Sequence, residues 1–178
     1  MILLRTAVVI FLGICCSCSN DPEEVIKATS DKVLPVSSTR NVEMLYSDSA
    51  KLKAGIKAPL RETYIGENGY VEFTKGIKVE FFDEDGSVES QLTANYAISR
   101  TKQNQMEAKN NVVLSNSAGE RLNTEHLIWD QKEDRIYSEV FTRITSPDKV
   151  IYGEGFESTP DFSKYRILKI KGIIQLKE

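Results

Sequence analysis

From about residue 41 onward, apolar and polar residues alternate with a period of two. Over residues 135–144, Ile136, Ser138, Val140, Thr142 and Ile144 share one face, while Arg135, Tyr137, Glu139, Phe141 and Arg143 share the other. Met106, Ala108, Val112 and Leu114 oppose Glu107, Lys109, Asn111 and Ser115. Ile77, Val79 and Phe81 oppose Lys78 and Glu80. Near the end of the chain, Leu168, Ile170, Gly172, Ile174 and Leu176 oppose Lys169, Lys171 and Gln175. This pattern predicts strands with one buried face, because successive side chains on a strand point to opposite sides. Turn residues separate the runs: Gly66-Glu-Asn-Gly69, Asp83-Glu-Asp-Gly86, Asn116-Ser-Ala-Gly119, Ser146-Pro-Asp148 and Thr159-Pro-Asp161. No stretch carries the pattern of a long amphipathic helix.

The strands also repeat. An apolar residue, any residue and then a small one recur as Leu52-Lys-Ala54, Leu92-Thr-Ala94, Leu122-Asn-Thr124 and Ile151-Tyr-Gly153, at spacings of 40, 30 and 29 residues. Met106, Ala108 and Leu114 each have a counterpart 30 residues on, in Ile136, Ser138 and Ile144. Such a period predicts stacked units sharing one apolar interior. Each unit reads as a hairpin, so the predicted fold is all-β: two facing antiparallel sheets built from repeated hairpin units, folded or rolled.

The first residues follow a different rule. Arg5 precedes the unbroken apolar run Ala7-Val-Val-Ile-Phe-Leu-Gly-Ile14, which leads into Cys15-Cys-Ser-Cys18 and the polar Ser19-Asn-Asp-Pro-Glu-Glu24. A charged start, a short apolar run and small residues before a cut describe a secretory signal. Spanning a bilayer takes roughly 20 apolar residues, more than this run supplies. All three cysteines crowd into four positions, which suits neither a disulfide framework nor a zinc site. The cluster resembles a bacterial lipoprotein box, with Cys18 as the lipidated residue. An uncleaved anchor helix and simple secretion remain as alternatives. The expected organisation is a signal or anchor at 1–17, a Pro- and Ser-containing linker at 18–40, and one β-domain at 41–178.

Charge narrows the partners. The formal charge is -3, and Arg5 is the sole charge through Ser17, so the remainder sits near -4. That balance argues against nucleic acid, which demands clustered Lys and Arg. No catalytic motif is present: there is no GxSxG, Walker sequence or HExxH. His126 is the only histidine and reads as a rim residue. The acidic Asp83-Glu-Asp-Gly86 lacks the further ligands of a calcium loop and reads as a hairpin turn. No metal or cofactor is expected.

One feature of the inner faces bears on function. Ala94, Ala108, Ser138, Thr142 and Gly172 are small, whereas the bulky Phe82, Tyr137 and Phe141 fall outside. Small inward residues let two sheets pack closely, or they leave an apolar groove that takes acyl chains at about 0.8 kcal/mol per buried methylene. By the alternation, the candidate lining is Ile77, Val79, Phe81, Leu92, Met106, Ala108, Leu114, Leu122, Ile136, Val140 and Ile144.

Several stretches, in order, resemble one family. They are Tyr46-Ser-Asp-Ser-Ala-Lys-Leu-Lys-Ala54, Glu72-Phe-Thr-Lys-Gly-Ile-Lys-Val79, Leu92-Thr-Ala-Asn-Tyr-Ala97, Glu107-Ala-Lys-Asn-Asn-Val112, Gly119-Glu-Arg-Leu-Asn-Thr-Glu-His-Leu-Ile-Trp129 and Gly153-Glu-Gly-Phe156. Together they resemble LptC, the periplasmic component of lipopolysaccharide export, in its Bacteroidetes-like lipoprotein form. The resemblance implies a twisted β-jelly roll that does no chemistry. It implies that the domain accepts lipopolysaccharide, by its lipid A acyl chains, from an inner-membrane ABC transporter. It also implies transfer to a periplasmic jelly-roll bridge protein joined by edge-strand pairing. The domain would then face the periplasm from the inner membrane. The best-known members carry an uncleaved helix, which this chain's cysteine cluster does not match. A periplasmic or surface lipoprotein that binds a protein or glycan is the competing expectation.

Overall fold

The computed structural model describes residues 34–176. The signal segment 1–17, Cys18 and linker residues 18–33 lie outside them. The described chain forms β1 (Ser37–Asp48), β2 (Lys51–Tyr64), β3 (Tyr70–Phe73), β4 (Ile77–Phe82), β5 (Val88–Ala94), β6 (Tyr96–Arg100), β7 (Gln105–Asn116), β8 (Arg121–Asp130), β9 (Arg135–Thr145), β10 (Lys149–Ser158) and β11 (Tyr165–Gln175). Among the described residues, the sole helical element is a 3-10 turn at Thr101–Gln103. β1 begins at Ser37, so residues 37–40 belong to the domain rather than to the linker.

The two expected sheets are one continuous 11-stranded antiparallel sheet, folded across its own strands into a twisted jelly roll. The register shows how. β7 pairs with β6 through residues 105–109 and with β5 through residues 113–116. β2 pairs with β3 through residues 62–64 and with β4 through residues 54–57. Each long strand therefore runs from a first leaf, containing β3 and β6, into a second leaf, containing β4 and β5.

The crossings line up. Asn41 drops out of the β1–β2 register, Asn110 and Asn111 out of β7–β8, and Gly155 out of β10 pairing with both neighbours. Between β3 and β4 the crossing falls at Gly76. Asn41, Gly76, Asn110, Asn111 and Gly155 all have positive φ, of 51°, 90°, 63°, 53° and 75°. This left-handed region is tolerated by Gly and Asn far better than by other residues.

Breaking a ladder strands backbone groups, and side chains near the fold line answer them. Thr124 Oγ1 donates to the Phe141 carbonyl at 2.9 Å, and Glu125 Oε2 accepts from the Asn111 amide at 3.0 Å. Ser138 Oγ lies 3.4 Å from the Val140 amide. This explains the buried polar positions Thr124 and Ser138 inside an otherwise apolar alternation.

The inner faces of both leaves meet in one core cluster. Leu114, Leu122 and Ile136 are wholly buried there, each contributing about 1.5–3 kcal/mol by burial. The repeat has a structural counterpart. Ala94, Thr124 and Gly153 are buried near the fold line on β5, β8 and β10, whereas Ala54 is buried further along β2, towards the hairpin tips.

Two alternation assignments need correction. Val140 is 38% exposed, because β9 leaves its register with β8 between Tyr137 and Thr142. Leu168, Ile170, Ile174 and Leu176 do not form a buried face; all are exposed on the edge strand. A bulge between Tyr152 and Gly153 changes the phase, pairing Ile170 with Gly153 and Ile174 with Val150 and so setting them on opposite faces.

A Cβ on Gly155 would meet the Leu168 side chain at 2.9 Å, whereas one on Gly86, at φ +84°, would meet nothing within 4 Å. Gly86→Ala is expected to cost about 1–2 kcal/mol from backbone conformation alone. Gly155→Ala should cost measurably more and speed amide exchange along β11. Denaturant midpoints compare the pair, and equal losses would mean that Leu168 adjusts freely.

Candidate functional site: an apolar track between two open edges

Following the register across the second leaf reveals one row of facing positions. Met44 pairs with Ile56, Ile56 with Val79, Val79 with Leu92, and Leu92 with Leu114. Leu114 pairs with Leu122, Leu122 with Ile144, Ile144 with Ile151, and Ile151 with Ile173. Every member is aliphatic, and the row runs from edge strand β1 to edge strand β11. At about 4.8 Å per strand the track is roughly 38 Å long. Facing it from the first leaf are Met106, Ala108 and Ile136.

All the expected lining residues except Val140 are buried and belong to this interior. Ile77 and Phe81 flank the track on β4 rather than forming part of the row. The alternation reading missed Met44, Ile56 and Ile151, although β1, β2 and β10 carry the same period-two pattern. It also missed Ile173, which the β11 bulge brings onto the inner face.

The interior is sealed mid-sheet and accessible elsewhere. At the fold line, a slit of about 490 Å³ is lined by Val42, Ala58, Ile77 and Ala94, with Lys57, Lys75 and Lys78 at its rim. On the opposite side, where the hairpin tips of the leaves face each other, a cleft of about 990 Å³ opens between Leu52, Phe81, Asp83, Trp129 and Asp161. Beside that cleft the leaves are latched. Ser90 Oγ donates to the Pro160 carbonyl at 2.5 Å, Asn116 Nδ2 to the Phe162 carbonyl at 3.0 Å, and Tyr165 Oη to Glu120 Oε1 at 3.0 Å. Phe162 is wholly buried and packs against Phe156 and Tyr165, with centroids 5.8 and 5.1 Å away.

The polar clusters are spent on structure. Asp83 Oδ1 accepts from the amides of Asp85 and Ser87, at 2.9 and 2.7 Å, so the acidic turn caps itself. His126 Nε2 lies 3.6 Å from Glu107 Oε2, in a group with Lys109 and Arg100. Burial works against the Glu107 carboxylate, yet those two cations hold it below its ordinary value. Among the described residues, no group of His, Cys, Asp or Glu is arranged to hold a metal.

Residues 6–174, nearly the whole chain, match the family described as lipopolysaccharide-assembly, LptC-related. The chain belongs to the LptC family. No curated protein sequence matches it. Family membership makes the chain a periplasm-facing component of lipopolysaccharide transport. No helix among the described residues is long and apolar enough to cross a membrane.

In this LptC-family roll the track ends at exposed apolar side chains. Ile170 and Ile173 project from the inner side of β11 while 57% and 53% exposed. At β1, Met44 and Tyr46 are only partly covered. Among the described residues each edge strand pairs on one side only, which leaves a row of backbone groups open to a further strand.

The latch titrates. Burial, and then its bond to Glu120, push the Tyr165 phenol up to about 12 from an ordinary 10.0. A raised folded-state value makes this contribution complete below pH 10 and lost as pH climbs towards 12. The melting temperature should therefore fall across that window, and Tyr165→Phe should flatten the fall. An unchanged slope would show that the latch is not a stabilising contact.

Proposed function

We propose that this LptC-family chain takes lipopolysaccharide released by an inner-membrane ABC transporter and passes it through the roll to a periplasmic bridge protein. The observation that carries this reading is the unbroken aliphatic row joining two open sheet edges. A domain that needed only a stable core would gain nothing from extending that row to exposed Ile173. An acylated ligand would gain about 0.8 kcal/mol for each methylene it buries there.

The two edges suit different neighbours. β1 is the first strand after the linker that leads back to Cys18, the proposed lipidated anchor, so in the chain it is the edge nearest that anchor. β11 carries apolar side chains on both faces and an unpaired backbone edge. Those features suit a bridge protein that adds its own strand, with backbone hydrogen bonds for affinity and Ile170 and Ile173 meeting the next apolar interior.

The reading is tested in cells. A photocrosslinking residue at Ile136 should capture lipopolysaccharide, and Ala108→Trp, which fills the space beside Ala97, should abolish the product. Depletion should leave lipopolysaccharide at the inner membrane. Normal outer-membrane delivery after depletion, or no crosslink at Ile136 in a folded protein, would overturn transfer and favour a lipoprotein that binds a protein or glycan. Replacing Ile170 by Asp should cut bridge-protein co-purification severalfold while leaving the Ile136 crosslink in place.

A further inference from the structure

Trp129 stands on the inner face of the first leaf, in register between Met106 and Ile136. It reaches across to the second leaf, where Tyr46, Ala54 and Phe81 occupy consecutive positions of one row. The small Ala54 leaves a slot between the two aromatics, and Trp129 fills it. Its ring meets Phe81 at 5.0 Å and Tyr46 at 5.4 Å, both edge-on at 84°. Trp129 is 4% exposed, and its Nε1–H is closed to solvent and has no oxygen or nitrogen acceptor among the described residues. A buried indole N–H normally finds a partner, and leaving it bare is costly. A phenylalanine would fill the same slot without that cost.

The orphan donor sits at a point of access. Trp129 and Phe81 both line the 990 Å³ cleft at the mouth of the roll. Tyr46 closes the slot from β1, which has a single neighbour among the described strands, so among the three rings it is the least restrained. Behind the slot runs the aliphatic track, one register row inward from Tyr46, Ala54 and Phe81.

We propose that the Trp129 indole N–H is a ligand donor: it binds the linkage carbonyl of an amide- or ester-joined acyl chain that enters through the cleft as Tyr46 moves aside. This rests on the transport reading. Along an acyl chain the methylenes need only apolar contact, and the carbonyl at the head of the chain is the single group that requires a donor. Placing that donor at the mouth fixes the depth of seating: chain inward along the track, sugar outward in the cleft. The cleft rim carries Asp83, Glu84, Asp85, Glu89, Asp134 and Asp161 against Lys51 and Lys53. Lys51 is already paired with Glu84 at 2.6 Å. At the donor itself a free fatty acid would bring a carboxylate charge into a dry slot beneath this acidic rim, whereas a linkage carbonyl is neutral and leaves any headgroup charge outside in water.

Trp129 is the only tryptophan in the chain, so its emission reports this slot alone. The full-length protein is titrated with lipid A labelled with ¹³C at its amide and ester linkage carbonyls, with lauric acid as the comparison. Lipid A should shift Trp129 emission and move part of the labelled carbonyl infrared band to lower frequency, while lauric acid does neither. Trp129→Phe should bind lipid A roughly threefold to tenfold more weakly, the span of one net hydrogen bond, and lose the infrared shift. An unshifted carbonyl band in the wild-type complex overturns the proposal, whatever the fate of the variant, and assigns the N–H to the faces of neighbouring rings. Equal affinity of wild type and Trp129→Phe overturns it as well. If lipid A binds neither protein, the transport reading itself fails.

Discussion

A β-sheet is held by an unbroken ladder of backbone hydrogen bonds, and folding one sheet onto itself requires that ladder to be broken along a line. The rest of this structure depends on how that break is tolerated. Asparagine and glycine occupy crossing points where the backbone must turn left-handed. Hydroxyls and a carboxylate take over backbone groups that the neighbouring strand no longer satisfies. With the break confined to one line, both leaves keep regular pairing on either side of it, and their inner faces are brought together as a single apolar interior.

The interior has two demands placed on it. Mid-sheet, Leu114, Leu122, Ile136 and Ile144 are closed off as tightly as any core. At the ends the same row continues into side chains that the described domain covers only in part. Burial is therefore deepest in the middle strands, and the exposed members of the row lie towards its ends, at Ile173 and in part at Met44. Lys169 and Lys171 on β11 temper the exposure, since charges on an edge strand discourage unselective pairing.

Much of this was legible in the amino-acid order. Strand positions, turns and hairpin repeats follow from the period-two alternation, since each strand buries one face. Positions 30 apart, such as Ala108 and Ser138, fall at matching buried places on β7 and β9. What escaped were features set by more than one strand. Whether two leaves are separate sheets or one folded sheet depends on pairing, and alternation carries no record of pairing. A one-residue bulge in β10 pairing reversed the faces of half of β11, and Val140 belongs by parity to the inside but sits where the strand bends away. In the sequence, Trp129 entered only as the end of the stretch Gly119–Trp129. Its slot is made by Ala54, Phe81 and Tyr46 on three other strands, 48 to 83 residues earlier, so no local signal announced it.

The latch around Phe162 lies at one part of the rim only, tying the β10–β11 loop to β5 and to the β7–β8 hairpin. The tips near β1 and β4 have the open cleft between them instead. A fold line of this kind acts as a spine, and the two leaves as covers clasped at one corner. Such a book can gape at the unclasped corner while staying shut at the clasp, without undoing the pairing within either cover. Dilation can thus be local, opening one corner of the roll while the rest of its wall stays closed.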